Sequence, residues 1–363
     1  MPATSSDAVF VGVDTHADTH HVAVVDHLGR HLGDREFPAD RAGYRSLLDW
    51  ISSFGSVTAV GVEGTGTYGA QLGRVLTAAG LAVLEVNRPD RATRRANGKS
   101  DPVDAYAAAQ AVASGRADSV PKSRDGIVES IRCLRVARRS AVKAKTQCIN
   151  QIRALLITGP EDLRQQMKPL GTVGLIQALS RLRPGTDLSS PAAATKLTLR
   201  SLARRHQALS DEIRELDVVL DGLTTTAAPG LLAKTGVGPE VAGQLLVTAG
   251  DNPERLRSEA SFAHLAGVAP IPASSGRTNR HRLNRGGDRA ANKALHTIAV
   301  VRLKYDERTR AYARRRTAEG LSMKDIMRCL KRAIAREIYQ ELTRPTGFTT
   351  TWGQTAEPGP TRG

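Results

Sequence analysis

Three valine-rich runs, each closing on an acid, constrain this chain more than any other feature of it. "AVFVGVD" ends at Asp14, "HHVAVVD" at Asp26, and "VTAVGVEG" carries Glu63 where the apolar stretch stops. Short apolar runs rich in β-branched residues and bounded by polar turns read as buried strands. The first two are separated only by a tight polar turn, which suits a hairpin. A further strand is expected at "LAVLEVN". Between the later runs, "AGYRSLLDWISSF" and "YGAQLGRVLTAAG" have helical spacing, the second closed by a glycine. Hairpin first and strand–helix alternation afterwards imply a mixed sheet with helices on its faces.

Beyond a polar basic linker, "RADSVPKSRDG", the pattern turns helical. A long helix is expected from Gly126 to Ile157 and another from about Ala192 to Leu223. In the second, Leu202, Leu209, Leu216 and Leu223 recur every seven residues, with Leu199, Ile213 and Leu220 on companion positions and His206 as the one interruption. Such a seam fits a helical hairpin within the chain or a contact between protomers. "LLAKTGVGPEVAGQLLVTAG" places Gly236 and Gly238 between two short apolar helices, as a helix-hairpin-helix element does when glycine amides approach a phosphate. A basic, glycine-rich loop follows. Helices are then expected from about Arg289 to Arg316 and from Ser322 to Leu342. Residues 1–7 and the Gly-, Pro- and Thr-rich tail at 344–363 are expected to be disordered.

The 363 residues suffice for about two domains, and 52 Lys and Arg stand against 36 Asp and Glu, a net charge of +16. A surplus of that size predicts a polyanionic partner. Scarce aromatics argue against gripping single strands mainly by stacking. The positive charge is clustered: Arg88, Arg91, Arg94, Arg95 and Lys99 in one run, and Lys122, Arg124, Arg132, Arg135, Arg138, Arg139, Lys143 and Lys145 in a second. Arg277, Arg280, Arg282 and Arg285 make a third. Cys133, Cys148 and Cys329 form no CxxC pair, and neither a secretory leader nor a membrane span is evident, so a cytoplasmic protein is expected.

"NGKSDPVDAYAAAQAVASG" sets Asp101 and Asp104 three apart at the mouth of an alanine-rich helix. Both can face one point, and the helix dipole favours acids there, so capping is the plain alternative to chemistry. Should Asp14, Glu63, Asp101 and Asp104 converge, a cation must hold them together. Oxygen donors suit Mg²⁺ or Mn²⁺, and two such ions can clamp a phosphodiester. His16 and His20 in "DTHADTHH" mimic a helical zinc pair, but the segment reads as strand, turn and strand, which turns zinc down. One of its histidines, with His21 beside them, could still tune the acid site.

"VGVDTHADTHHVAVVD", "AVGVEGTGTYG", "VNRPDRATRRANGKSDPVDA" and "GVAPIPASSGRTNRHRLNRGGDRAANKALH" together closely resemble the DEDD transposases of the insertion-sequence-110 (IS 110) family, over roughly residues 8 to 340. The resemblance implies an α/β plus α architecture: a RuvC-like, ribonuclease-H-type domain at 8–120, a coiled-coil insertion at 121–225, and a mainly helical transposase domain at 226–343. It maps the quartet of metal-binding acids onto Asp14, Glu63, Asp101 and Asp104. It makes Ser275, beside Ser274, the nucleophile that joins covalently to DNA. It also implies Mg²⁺ or Mn²⁺ as cofactor, donor and target DNA and a structured bridge RNA as partners, a dimer or tetramer at work, and action at the nucleoid. Two readings compete: a metal-dependent Holliday-junction-type endonuclease without serine chemistry, and a non-catalytic nucleic-acid-binding protein.

Overall fold

A computed structural model of the protein describes residues 7–86, 100–277 and 281–344. Five strands form one sheet: β1 (Ala8–Thr15), β2 (Thr19–Asp26), β3 (His31–Pro38), β4 (Ser56–Glu63) and β5 (Val83–Val86), in the order β3-β2-β1-β4-β5. β1 pairs antiparallel with β2 and parallel with β4, so the sheet is mixed. Side chains alternate across it. Val9, Val11, Val13, Val22, Val24, Val60 and Val62 pack with Tyr44, Leu47 and Ile51 of α1 (Arg41–Ser52) and Leu72 and Leu76 of α2 (Ala70–Ala78). On the reverse face Phe10, Ala59 and Val86 meet Ala108 and Val112 of α3 (Asp101–Ala113). β3 is not among the expected strands, because "HLGDREFP" is an edge strand with only Phe37 buried and no apolar alternation to announce it.

The helical middle packs on itself. α4 (Ile127–Thr158) lies against α7 (Pro191–Ala227), and two short helices, α5 (Glu161–Met167) and α6 (Thr172–Ser180), fill the connection. The buried line on α7 is Leu199, Ala203, Ile213, Leu220 and Thr224, while the heptad leucines at 202, 209, 216 and 223 are half-buried beside it. His206 falls in the buried register, seven residues from both Leu199 and Ile213. Burial, reinforced by nearby Lys145, lowers its pKa.

The described residues form two compact units, those within 1–229 and 238–255, and those within 230–237 and 256–344. Within the first, α9 (Pro239–Ala249) is tied to α4 by Arg135, whose guanidinium donates to the Glu240 carbonyl at 2.6 Å and the Gln244 side chain at 2.9 Å. Arg138 pairs with Asp217 and lies 3.4 Å from the Glu240 carboxylate. Arg135, which the sequence places in a basic run suited to nucleic acid, is only 5% exposed and is satisfied by the chain itself.

The second unit contains α10 (Glu259–Leu265), a two-stranded hairpin of β6 (Ile271–Pro272) and β7 (His281–Arg282), then α11 (Arg289–Tyr305), α12 (Glu307–Ala318) and α13 (Met323–Leu342). Its core is built on Phe262, Leu295, Ile298, Ile326, Ile334 and Ile338. The single helix expected from Arg289 to Arg316 is two helices, because Asp306 stops one and caps the next, accepting from the Thr309 amide at 2.8 Å. α8 (Pro229–Leu232) leads into the turn holding Gly236. Lys234 reaches Glu341 at 3.1 Å, and Arg302 binds the Thr235 carbonyl at 2.8 Å. Gly236 has φ +84°, and a Cβ there would stand 3.2 Å from the Ile298 carbonyl oxygen.

Candidate metal centre

The acid site begins with two glycines. A Cβ on Gly12 would lie 2.1 Å from both the Ala105 carbonyl oxygen and the Ala109 amide, and one on Gly61 would lie 2.9 Å from the Ala108 carbonyl oxygen. Bare backbone at these two points lets α3 lie directly on β1 and β4. Asp14 and Glu63 each follow two residues later in their strands, so both project from the face α3 covers. Thr15 donates to the Glu63 carbonyl at 2.8 Å and holds the two strand ends abreast. α3 runs against the direction of the strands, since Asp101 lies 4.0 Å from His16, just beyond the end of β1, while Ala109 lies over Gly12 further back along the strand. Its first turn therefore brings Asp101 and Asp104 to the end where Asp14 and Glu63 emerge. The helix-capping position belongs to Ser100, which makes no side-chain cap bond. Asp101 and Asp104 are first-turn acids that complement the helix dipole rather than cap it.

Asp14, Glu63 and Asp104 are buried, and Asp101 is partly exposed. Burial pushes the Asp14 carboxyl above its usual range. His16 beside it pulls it back, while the charges of Asp104 and Asp101 push it up again. Carboxylates held this close oppose one another's ionisation, and a cation among them reverses the sign of that opposition. Asp14, His16 and Asp101 each offer one ligand atom, and all three atoms lie within 4.8 Å of one another. Hard carboxylate oxygens with one imidazole form a donor set that fits a divalent ion.

His16 is the member of this trio from outside the acid quartet. It continues the face of Gly12 and Asp14 at a two-residue step, a signal visible in "VGVDTH". The other two histidines are engaged elsewhere. His20, opposite Thr15, is fully buried on the core side and stacks on Tyr44. His21, opposite Asp14, bonds to Asp34 at 2.7 Å, and Asp34 also accepts from the Tyr106 hydroxyl at 3.1 Å. No zinc trio forms among them.

Ser274, Ser275, Gly276 and Arg277 are exposed between β6 and β7 in the second unit. The base of this hairpin is fixed. Gly287 crosses Gly267 so closely that a Cβ on it would lie 2.4 Å from the Gly267 Cα. Asn284 donates to the His264 carbonyl at 2.9 Å, and Asn292 donates to the Gly267 carbonyl at 3.0 Å. Arg139, Arg282 and Arg285 are exposed, and Gly238 begins α9 with open space around it. Arg88, Arg91, Arg94, Arg95, Lys99 and Arg280 lie outside the described residues.

A mixed five-stranded sheet with acids at the ends of its central strands, faced by a helix that adds two more, is consistent with a RuvC-like DEDD transposase domain. Residues 11–158 match the DEDD transposase family of IS110, and residues 230–314 match the transposase IS116/IS110/IS902 family. The chain belongs to the IS110 family of transposases, enzymes that recombine DNA. It is 26% identical to the "Mini-circle putative transposase for IS117" of Streptomyces coelicolor, over 74% of this chain and 78% of that one. It is also 26% identical to the IS110 "uncharacterized 43.6 kDa protein" of the same organism, over 87% and 89% of the two chains. A Mycobacterium paratuberculosis relative, the "uncharacterized 42 kDa protein" of IS900, is again 26% identical, over 86% and 90%.

Proposed function

We propose that this transposase cuts and rejoins donor and target DNA through a covalent phosphoserine intermediate, with Asp14, Glu63, Asp101 and Asp104 as the metal-binding acids and Ser275 as nucleophile. A structured RNA from the element guides the choice of sites, and the protein works at the nucleoid as a dimer or tetramer. The single observation supporting the metal role is that ligand atoms of Asp14 and Asp101, with His16, lie within 4.8 Å of one another, while Glu63 and Asp104 stand outside that trio at the end of β4 and in the first turn of α3. A divalent ion bound there supplies charge neutralisation to the phosphodiester. The residues do the rest. The Ser275 oxygen bonds to phosphorus, the bond from phosphorus to a deoxyribose oxygen breaks, and the serine proton passes to that leaving oxygen. Attack by another DNA hydroxyl reverses the exchange, so the energy of the original ester is kept for resealing. The exposed Ser275 hairpin, on a base fixed by Asn284 and Gly287, suits a nucleophile delivered to an acid site on another protomer. Arg277, Arg282 and Arg285, all exposed, would neutralise phosphates, and Arg280 adds a further positive charge in the same stretch of sequence. Gly238 leaves the start of α9 open to a phosphate, whereas Gly236 is already committed to packing on Ile298.

The test is denaturing electrophoresis after incubation with donor DNA, target DNA and the element's flanking RNA. A protein–DNA adduct is expected, absent in Ser275→Ala and retained in Ser274→Ala. Asp101→Asn and Asp104→Asn should each abolish strand exchange while leaving RNA binding largely intact. The rival reading, a Holliday-junction-type endonuclease, draws on the acids gathering within one unit without Ser275. Clean hydrolysis by Ser275→Ala would establish it instead.

A further inference from the structure

From the geometry around His16 we infer that this acid site is a mixed nitrogen–oxygen centre, with His16 as a direct ligand that biases it toward Mn²⁺ over Mg²⁺. The inference rests on the metal role proposed for the acids and adds to it a donor from outside their quartet. His16 Nε2 stands 3.9 Å from Asp14 Oδ2 and 4.0 Å from Asp101 Oδ1. Both distances exceed hydrogen-bond range, so these contacts do not commit the ring nitrogen. An octahedral ion with bonds of about 2.1 Å sets its donors roughly 3 Å apart when adjacent and roughly 4.2 Å apart when opposite. The two spacings from His16 fall between those limits, the two carboxylate oxygens lie within 4.8 Å of each other, and an ion seated among the three atoms needs only adjustments of exposed side chains. His16 and Asp101 are each 44% exposed, which leaves them room to adjust.

The backbone prepares the ring for this place. The His16 amide donates to the Thr19 carbonyl at 3.0 Å, closing the turn between β1 and β2 and fixing the residue just past Asp14. The neighbouring histidines cannot substitute, since His20 points into the core and His21 is held by Asp34. Imidazole is a softer donor than carboxylate. It adds more to the affinity of a transition ion than to that of Mg²⁺, which prefers oxygen and keeps its water. An all-oxygen quartet has no such preference built in.

Binding to the full-length protein decides the matter without any turnover. Free Mn²⁺ is followed by electron paramagnetic resonance, and Mg²⁺ is measured by competition with it, in wild type, His16→Ala and Asp14→Asn. His16→Ala is expected to weaken Mn²⁺ about tenfold or more while changing Mg²⁺ far less, so that the Mn²⁺/Mg²⁺ preference collapses. Circular dichroism of the metal-free proteins checks that both variants fold. An equal loss for both ions, or no loss, overturns the ligand role of His16 while Asp14→Asn still abolishes binding. Unchanged Mn²⁺ binding in Asp14→Asn would sink the metal reading of the acids itself.

Discussion

At Gly12 a missing side chain does more than most present ones. Its Cα faces backbone atoms of α3, and any Cβ would collide with groups that cannot rotate away. Gly12→Ala should therefore destabilise the protein by about 3 kcal/mol or more, at the upper end of overpacking costs. Urea unfolding of the variant, compared with an Ala substitution at Gly73, where a Cβ would meet nothing within 4 Å, checks it. His20 makes a second residue-scale prediction. Burial lowers the pKa of its ring, so the folded state binds a proton later than the unfolded chain as pH falls. Stability is then fully present above about pH 6.5 and is lost as pH drops toward the folded value, with His206 acting in the same direction. Asp14, shifted upward, acts with the opposite sign, so the readout is the difference between wild type and His20→Gln in denaturation midpoint from pH 7.5 to 5.5. Parallel profiles would remove His20 from the account. The acids themselves were legible because both strands close on Gly-Val-acid, the glycine allowing the helix in and the acid emerging beyond it. His16 was only half legible, since a histidine in a turn looks the same whether or not it faces a metal site.

Among the elements, those with a strong period were readable from sequence and those defined by a boundary were not. The valine alternation locates β1, β2 and β4, and apolar spacing locates α4 and α7. β3 carries little apolar signal, and the break between α11 and α12 hangs on one capping aspartate inside a sequence that otherwise suits a continuous helix. Charge runs were the least readable, because a basic residue looks alike whether it meets phosphate or a neighbouring helix. α4 separates the two cases within one turn. Arg135→Ala should lower the denaturation midpoint, since it removes the donor to the Glu240 carbonyl and to the Gln244 side chain in a mostly buried contact. Arg139→Ala, at an exposed position, should leave stability within about 0.5 kcal/mol. The same two proteins in a DNA-binding titration should rank the other way, with Arg139→Ala the weaker binder.

Over the whole molecule, the proposed chemistry is divided: the acids lie in one compact unit and Ser275 in the other. If the two halves of an active centre come from different protomers, two inactive proteins can complement each other. Mixing Asp104→Asn with Ser275→Ala should restore part of the recombination that neither supports alone, because a mixed assembly can pair an intact acid site with an intact serine. A mixture as dead as its components would place both halves on one chain. No helix among the described residues is long and apolar enough to cross a membrane, and the net charge of +16 gives the molecule a long-range pull toward polyanions that does not depend on the chemistry at the sheet end. That independence, set beside the close seat of α3 on Gly12 and Gly61, separates two ways of losing activity. A side chain at either glycine is expected to cost the folded protein itself. A change confined to the Asp104 carboxylate is expected to leave a folded, strongly basic chain that still collects on polyanions without acting on them.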